Sequence, residues 1–98
     1  MFVRIVKLTL QEKCIEEFKS YFDKVKNIVR NQPGCSNLEL YQDRSNPCIF
    51  FTYSYWEEES DLEQYRTSEV FGKIWPELKA FFSERAEAWS VDKLETLK

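Results

Sequence analysis

The side chains of this sequence that could do chemistry are thiols, carboxylates and phenols, because histidine does not occur at all. That absence excludes an imidazole general base, a histidine-ligated haem and a histidine zinc site. It also leaves a cysteine nucleophile without the base that usually activates it. The three cysteines, Cys14, Cys35 and Cys48, are separated by gaps of 21 and 13 residues. Neither gap makes a zinc motif or a CxxC redox pair, and an odd number of scattered cysteines reads as reduced thiols in a cytosolic protein. No metal site is expected. A proton acceptor in such a chain has to be a carboxylate or a tyrosine held at a shifted pKa.

These groups must be positioned by a single domain, since 98 residues leave no room for a second. The net charge of −3 lacks the concentrated basic patch that nucleic acid requires. No stretch approaches about 18 consecutive apolar residues, so no membrane span is expected. Arg4 and Lys7 interrupt the apolar N-terminal run where a secretion signal needs an unbroken one. Cytoplasmic residence follows as the expectation.

Residues 2 to 10, FVRIVKLTL, read as a first strand. From Cys14 the apolar residues Ile15, Phe18, Tyr21, Phe22, Val25, Ile28 and Val29 recur at steps of three and one, which is a helical stripe. Pro33-Gly34 ends that helix. Residues 35 to 43 alternate as a second strand. Arg44 to Pro47 form a turn, so residues 48 to 56, CIFFTYSYW, return as the third strand of a hairpin. One face of this strand shows Ile49, Phe51, Tyr53 and Tyr55; the other shows Phe50, Thr52, Ser54 and Trp56. The acids Glu57 to Glu59 suit a helix start. Thr67-Ser68 caps a further helix with an apolar stripe from Val70 to Phe82, and Pro76 predicts a kink or restart within it. Residues 87 to 91 are the last strand, and 92 to 98 form a polar tail.

The order βαββααβ defines an α+β, ferredoxin-like sandwich: a four-stranded antiparallel sheet with its helices on one face. The other face should then be polar in a soluble monomer. Strand three, with aromatic residues on both sides, and strand one, with apolar residues on both sides, predict instead an apolar open face. The simplest cover for it is the same sheet of a second copy, a two-fold homodimer.

Taken together, FVRIVKLTL, a helix ending in NQPGC, and NPCIFFTYSYWEEESDLEQYRTSEVF resemble the antibiotic biosynthesis monooxygenase domain, over residues 2 to 91. The resemblance implies a dimeric α+β barrel joined through its sheets. It also implies an activity: oxidation of electron-rich phenols, quinols or anthrones by O₂ with no metal or flavin cofactor. A deprotonated substrate of this kind can itself pass an electron to oxygen. The protein has to bind a flat apolar molecule, exclude water and assist proton removal. On that reading Thr52, Ser54 and Trp56 form a mixed polar and aromatic pocket face, Asn37 joins them from the second strand, and Tyr65 and Trp75 complete the lining. Trp56, Tyr65, Glu39 and Glu69 are the candidate catalytic residues.

The chain departs from the family where histidines are common. Tyr65 and Glu69 stand at those positions. Haem-degrading relatives use an asparagine, a tryptophan and a haem-ligating histidine where Val6, Tyr65 and Trp75 stand here. Haem degradation is therefore not expected. Two readings remain: a cofactor-independent monooxygenase of small quinol- or anthrone-type aromatics, or a non-catalytic small-ligand-binding or stress-associated homodimer. In the second, Phe50, Phe51, Trp75, Phe81 and Phe82 fill the pocket.

Overall fold

The structure, a computed structural model, describes residues 1–98. Strand β1 (Phe2–Thr9) leads through a short 3₁₀ turn (Glu12–Cys14) into α1 (Ile15–Arg30). The hairpin of β2 (Cys35–Gln42) and β3 (Ile49–Trp56) follows, then α2 (Glu59–Arg66), α3 (Glu69–Lys79) and β4 (Glu87–Val91). The sheet order is β2-β3-β1-β4 with every neighbouring pair antiparallel. This is the ferredoxin-like arrangement, and its element order agrees with the sequence pattern.

Local chemistry sets the element ends. Gly34 has φ +84°, a left-handed conformation that glycine adopts without a Cβ penalty. A side chain there would run into Asp61. The turn thus brings the start of β2 against the start of α2, where Glu58 and Asp61 form a reciprocal capping box. Ser68 caps α3, its Oγ accepting the Phe71 N–H at 3.2 Å. Helix α3 runs on through Pro76 instead of restarting. The carbonyl that loses its partner belongs to Gly72, an exposed residue whose backbone water can reach.

Register fixes which side chains face the helices. Phe2, Arg4, Val6 and Leu8 of β1 stand opposite Trp56, Ser54, Thr52 and Phe50 of β3. Leu38 and Leu40 of β2 stand opposite Ser54 and Thr52. All belong to the helix-covered face. The register shift between Cys35 and Asn37 is a bulge that leaves Ser36 unpaired. Beyond it, Asn37, Glu39 and Tyr41 lie opposite Tyr55, Tyr53 and Phe51, on the face the helices leave open. Ile5, Trp89 and Val91 share that face.

The core divides into two clusters. At one end of the sheet Leu8, Leu10, Phe18 and Phe50 are buried, with Phe22, Trp75, Phe81 and Phe82 packed around them. At the other, Phe2, Cys35, Trp56 and Leu62 pack with Tyr65. No helix is long and apolar enough to cross a membrane.

Candidate functional site

A cavity of about 310 Å³ opens between the two clusters, under the helices. Fifteen of its 19 lining residues are hydrophobic; the remaining four are Arg4, Thr52, Ser54 and Arg66. An enclosure of this size with a few polar groups is the usual form of a small-molecule site.

Trp56 forms its floor. The side chain is 1% exposed, and its indole Nε1 donates to Ser54 Oγ at 2.9 Å. The two residues are i and i+2 on β3, which is why the strand turns both to one side. The Ser54 hydroxyl accepts from the indole, so its own proton remains available to a ligand oxygen. Thr52 lies two residues further back along the same strand face.

An aromatic wall rises from this floor. Tyr65 stacks on Trp56 with ring centroids 5.6 Å apart and planes at 22°. Phe71 meets Tyr65 edge-on at 5.2 Å and stacks on Trp75 at 5.6 Å and 11°. The wall requires α2 and α3 to sit at a fixed angle. Ser68 sets the junction, capping α3 while its hydroxyl donates to the Tyr65 carbonyl at 2.6 Å. Burial pushes the Tyr65 phenol up to about 12, so it stays protonated at neutral pH and acts as a donor, not a base.

Of the residues expected to line a pocket, Thr52, Ser54, Trp56, Tyr65 and Trp75 share this cavity. Asn37 does not, and the expectation is corrected: beyond the bulge it points from the opposite face of the sheet. Glu39, a candidate base, lies on that opposite face too. Glu69, in the first turn of α3, is exposed and outside the cavity. No carboxylate lines the cavity. All three cysteines are free and none lines it. Burial raises the Cys35 pKa and favours its neutral thiol. No three His, Cys, Asp or Glu side chains gather as metal ligands.

Sequence reasoning missed the two arginines. Arg4 sits on β1 with the parity of Phe2, Val6 and Leu8, a lone cation on an otherwise apolar face. That parity was the available signal. Arg66 ends α2, one residue after Tyr65.

The sheet order and the helix-covered face define a ferredoxin-like α+β fold with a cavity beneath its helices. The antibiotic biosynthesis monooxygenase family matches residues 1–77, and the chain belongs to that family. The crystal structure of an antibiotic biosynthesis monooxygenase superposes with a TM-score of 0.88 at 18% identity, covering 97% of this chain and 100% of that one. A conserved protein from Methanosarcina mazei Go1 superposes at 0.86 with 24% identity, covering 95% of this chain and 93% of its own. At such identities the likeness is one of fold. No curated protein matches the sequence.

Proposed function

We propose that the chain is a homodimeric, cofactor-independent monooxygenase of a small aromatic substrate of the quinol or anthrone type. The cavity over Trp56 carries this reading. It is large enough for a small aromatic frame, walled by Trp56, Tyr65, Phe71 and Trp75, and offers hydroxyls from Thr52 and Ser54. For an anthrone the reaction balances without a further reductant. The ring-flanked CH₂ loses its two hydrogens, one oxygen atom of O₂ becomes the new ketone, and the other leaves as water. The protein's part is to bind the flat substrate, keep water from the reacting carbon and donate hydrogen bonds to its oxygens.

The homodimer of this reading joins through the open face of the sheet. Ile5, Phe51, Tyr53, Tyr55, Trp89 and Val91 form an apolar patch on that face beside Glu39 and the Lys7–Glu87 ion pair, with Trp89 45% exposed and Val91 39%. A patch of this kind marks an interaction surface, and a second copy covers it symmetrically.

One observation favours a non-catalytic binding protein instead: nothing lining the cavity takes up a proton near neutral pH. Oxygen uptake decides between the two. The protein is mixed with an anthrone and a panel of hydroquinones, without added metal or flavin, beside Trp56→Ala and the cavity-filling Ala88→Phe. The monooxygenase reading expects uptake above the spontaneous rate, 1:1 with ketone formed from the anthrone, and its loss in both variants. No uptake by the folded protein with any panel member leaves the binding role.

A further inference from the structure

Arg4 occupies an unusual place. It projects from a central strand onto the helix-covered face, between Phe2 and Val6, and is only partly exposed. It takes part in none of the chain's four ion pairs. Of its five guanidinium N–H donors one is engaged, by Ser90 Oγ at 3.1 Å. Arg66 reaches the same cavity from the end of α2. Its one acidic partner, Glu63, is 3.7 Å away and largely solvated. Glu59 and Glu63 line a shallower groove outside, next to both arginines, but neither reaches the cavity wall. Inside, two cations face 15 hydrophobic residues and no anion.

Holding these two like charges together at an apolar wall is unfavourable. Burial, and then the charge of Arg66, push the Arg4 pKa down, and Glu63 offsets this only in part. An anion between them would remove the repulsion and use the idle donors, and guanidinium groups favour planar oxyanions.

We propose that the cavity takes its ligand as an aromatic oxyanion, the flat ring against Trp56 and Tyr65 and the negative group held by Arg4 and Arg66. An ionised phenol and an aromatic carboxylate share this chemistry. The inference rests on the cavity being the ligand site and narrows its substrate class. It also bears on what the oxygenase reading lacks, because a cation pair that stabilises the ionised substrate lowers its pKa and lets it lose its proton to solvent without a protein base.

Binding, read without oxygen, tests it apart from catalysis. Isothermal titration under nitrogen compares 2-naphthoate, its neutral isostere 2-naphthamide, and 2-naphthol above and below its own ionisation pH. The naphthoate should bind about tenfold or more tighter than the amide, the scale of one charged hydrogen bond. Arg4→Gln and Arg66→Gln should each remove most of that preference, weakening the naphthoate far more than the amide, and added salt should weaken only the anion. Ionised naphthol binding alone, without naphthoate, would restrict the class to phenolates and keep the two-arginine assignment. Equal affinity for naphthoate and amide, an anion preference that survives both substitutions, or no binding of either anion would overturn it. Absent oxygen uptake with intact anion selectivity would refute the oxygenase reading and leave this one standing.

Discussion

Replacing Ser54 by alanine removes one atom from the cavity floor and tests how the site is held together. The Trp56 indole N–H has Ser54 Oγ as its hydrogen-bond partner, at 2.9 Å. With the tryptophan 1% exposed, solvent does not replace the lost acceptor. An unpaired buried donor costs about 1–3 kcal/mol, and the missing hydroxyl leaves little cavity of its own. We expect Ser54→Ala to lower unfolding free energy by about 2 kcal/mol. Trp56→Phe removes the donor as well and loses buried ring contacts, for a cost of about 2 kcal/mol. In the Trp56→Phe background the serine has no indole to accept from, so the second substitution should cost about 0.5 kcal/mol or less. The coupling energy is then about 1.5 kcal/mol, within the range for residues in direct contact. Guanidinium denaturation followed by circular dichroism supplies all four corners, at one protein concentration because association shifts apparent stability. A Ser54→Ala cost of equal size in both backgrounds would refute the reasoning, since it would show that the serine acts without the indole.

Two glycines separate sterics from propensity. Gly34→Ala meets a left-handed backbone and the Asp61 side chain at once, and the loss of the α2 capping box adds to the strain, for about 2–4 kcal/mol. Gly72→Ala, with open space around it, should stabilise by about 0.5–1 kcal/mol; the same denaturation assay reads both. Tyr65 carries a pH signature. Its folded pKa lies above the unfolded value of 10.0, at about 12, so the folded state retains the proton longer. Stability from this group is full below pH 10 and is lost as pH rises from 10 through about 12, to the extent of order 2 kcal/mol. Stability measured across alkaline pH should fall less steeply in Tyr65→Phe, and an unchanged slope would show that Tyr65 is not the group responsible.

The fold was legible because local signals agreed with one another. The stripe from Ile15 to Val29, the stop at Pro33-Gly34, the acids before α2 and the cap at Ser68 each act within a few residues. The faces of β3 were legible as two lists, but their assignment was not, since each list carries large aromatic side chains and alternation fixes parity without direction. Register decides it: Phe2, Val6 and Leu8 stand opposite Trp56, Thr52 and Phe50. Asn37 was placed in the pocket against the alternation of its own strand, which sets Asn37, Glu39 and Tyr41 opposite to Leu38 and Leu40; the register keeps that parity, and the bulge at Ser36 brings Cys35 onto the face of the two leucines. Pro76 was read by its missing N–H, while the structure accommodates it through an exposed carbonyl at Gly72. Arg4 was read as an interruption of an apolar run. Its position in that run, on the parity of the core, carried more information than its charge.

A cavity with cations and no carboxylate constrains how oxygen chemistry can proceed there. Each unit by which the guanidiniums lower the pKa of a bound substrate stabilises its anion by about 1.4 kcal/mol. The same stabilisation is subtracted from the anion's readiness to give an electron to O₂. Strong binding of the anion and fast oxidation therefore oppose one another, and interactions that hold substrate and transition state equally well do not raise the rate. The arrangement best suits a substrate that is already acidic enough to ionise near neutral pH, for which the arginines need only position the charge. It also suits placing that charge at Arg4 and Arg66 while the reacting carbon rests against Trp56 and Tyr65, where the wall is apolar and the phenol, protonated up to about pH 12, donates without competing for the substrate's proton. For a weakly acidic hydroquinone or anthrone the arginines must supply that lowering of pKa themselves, with solvent taking the proton, at the cost in oxidation just described.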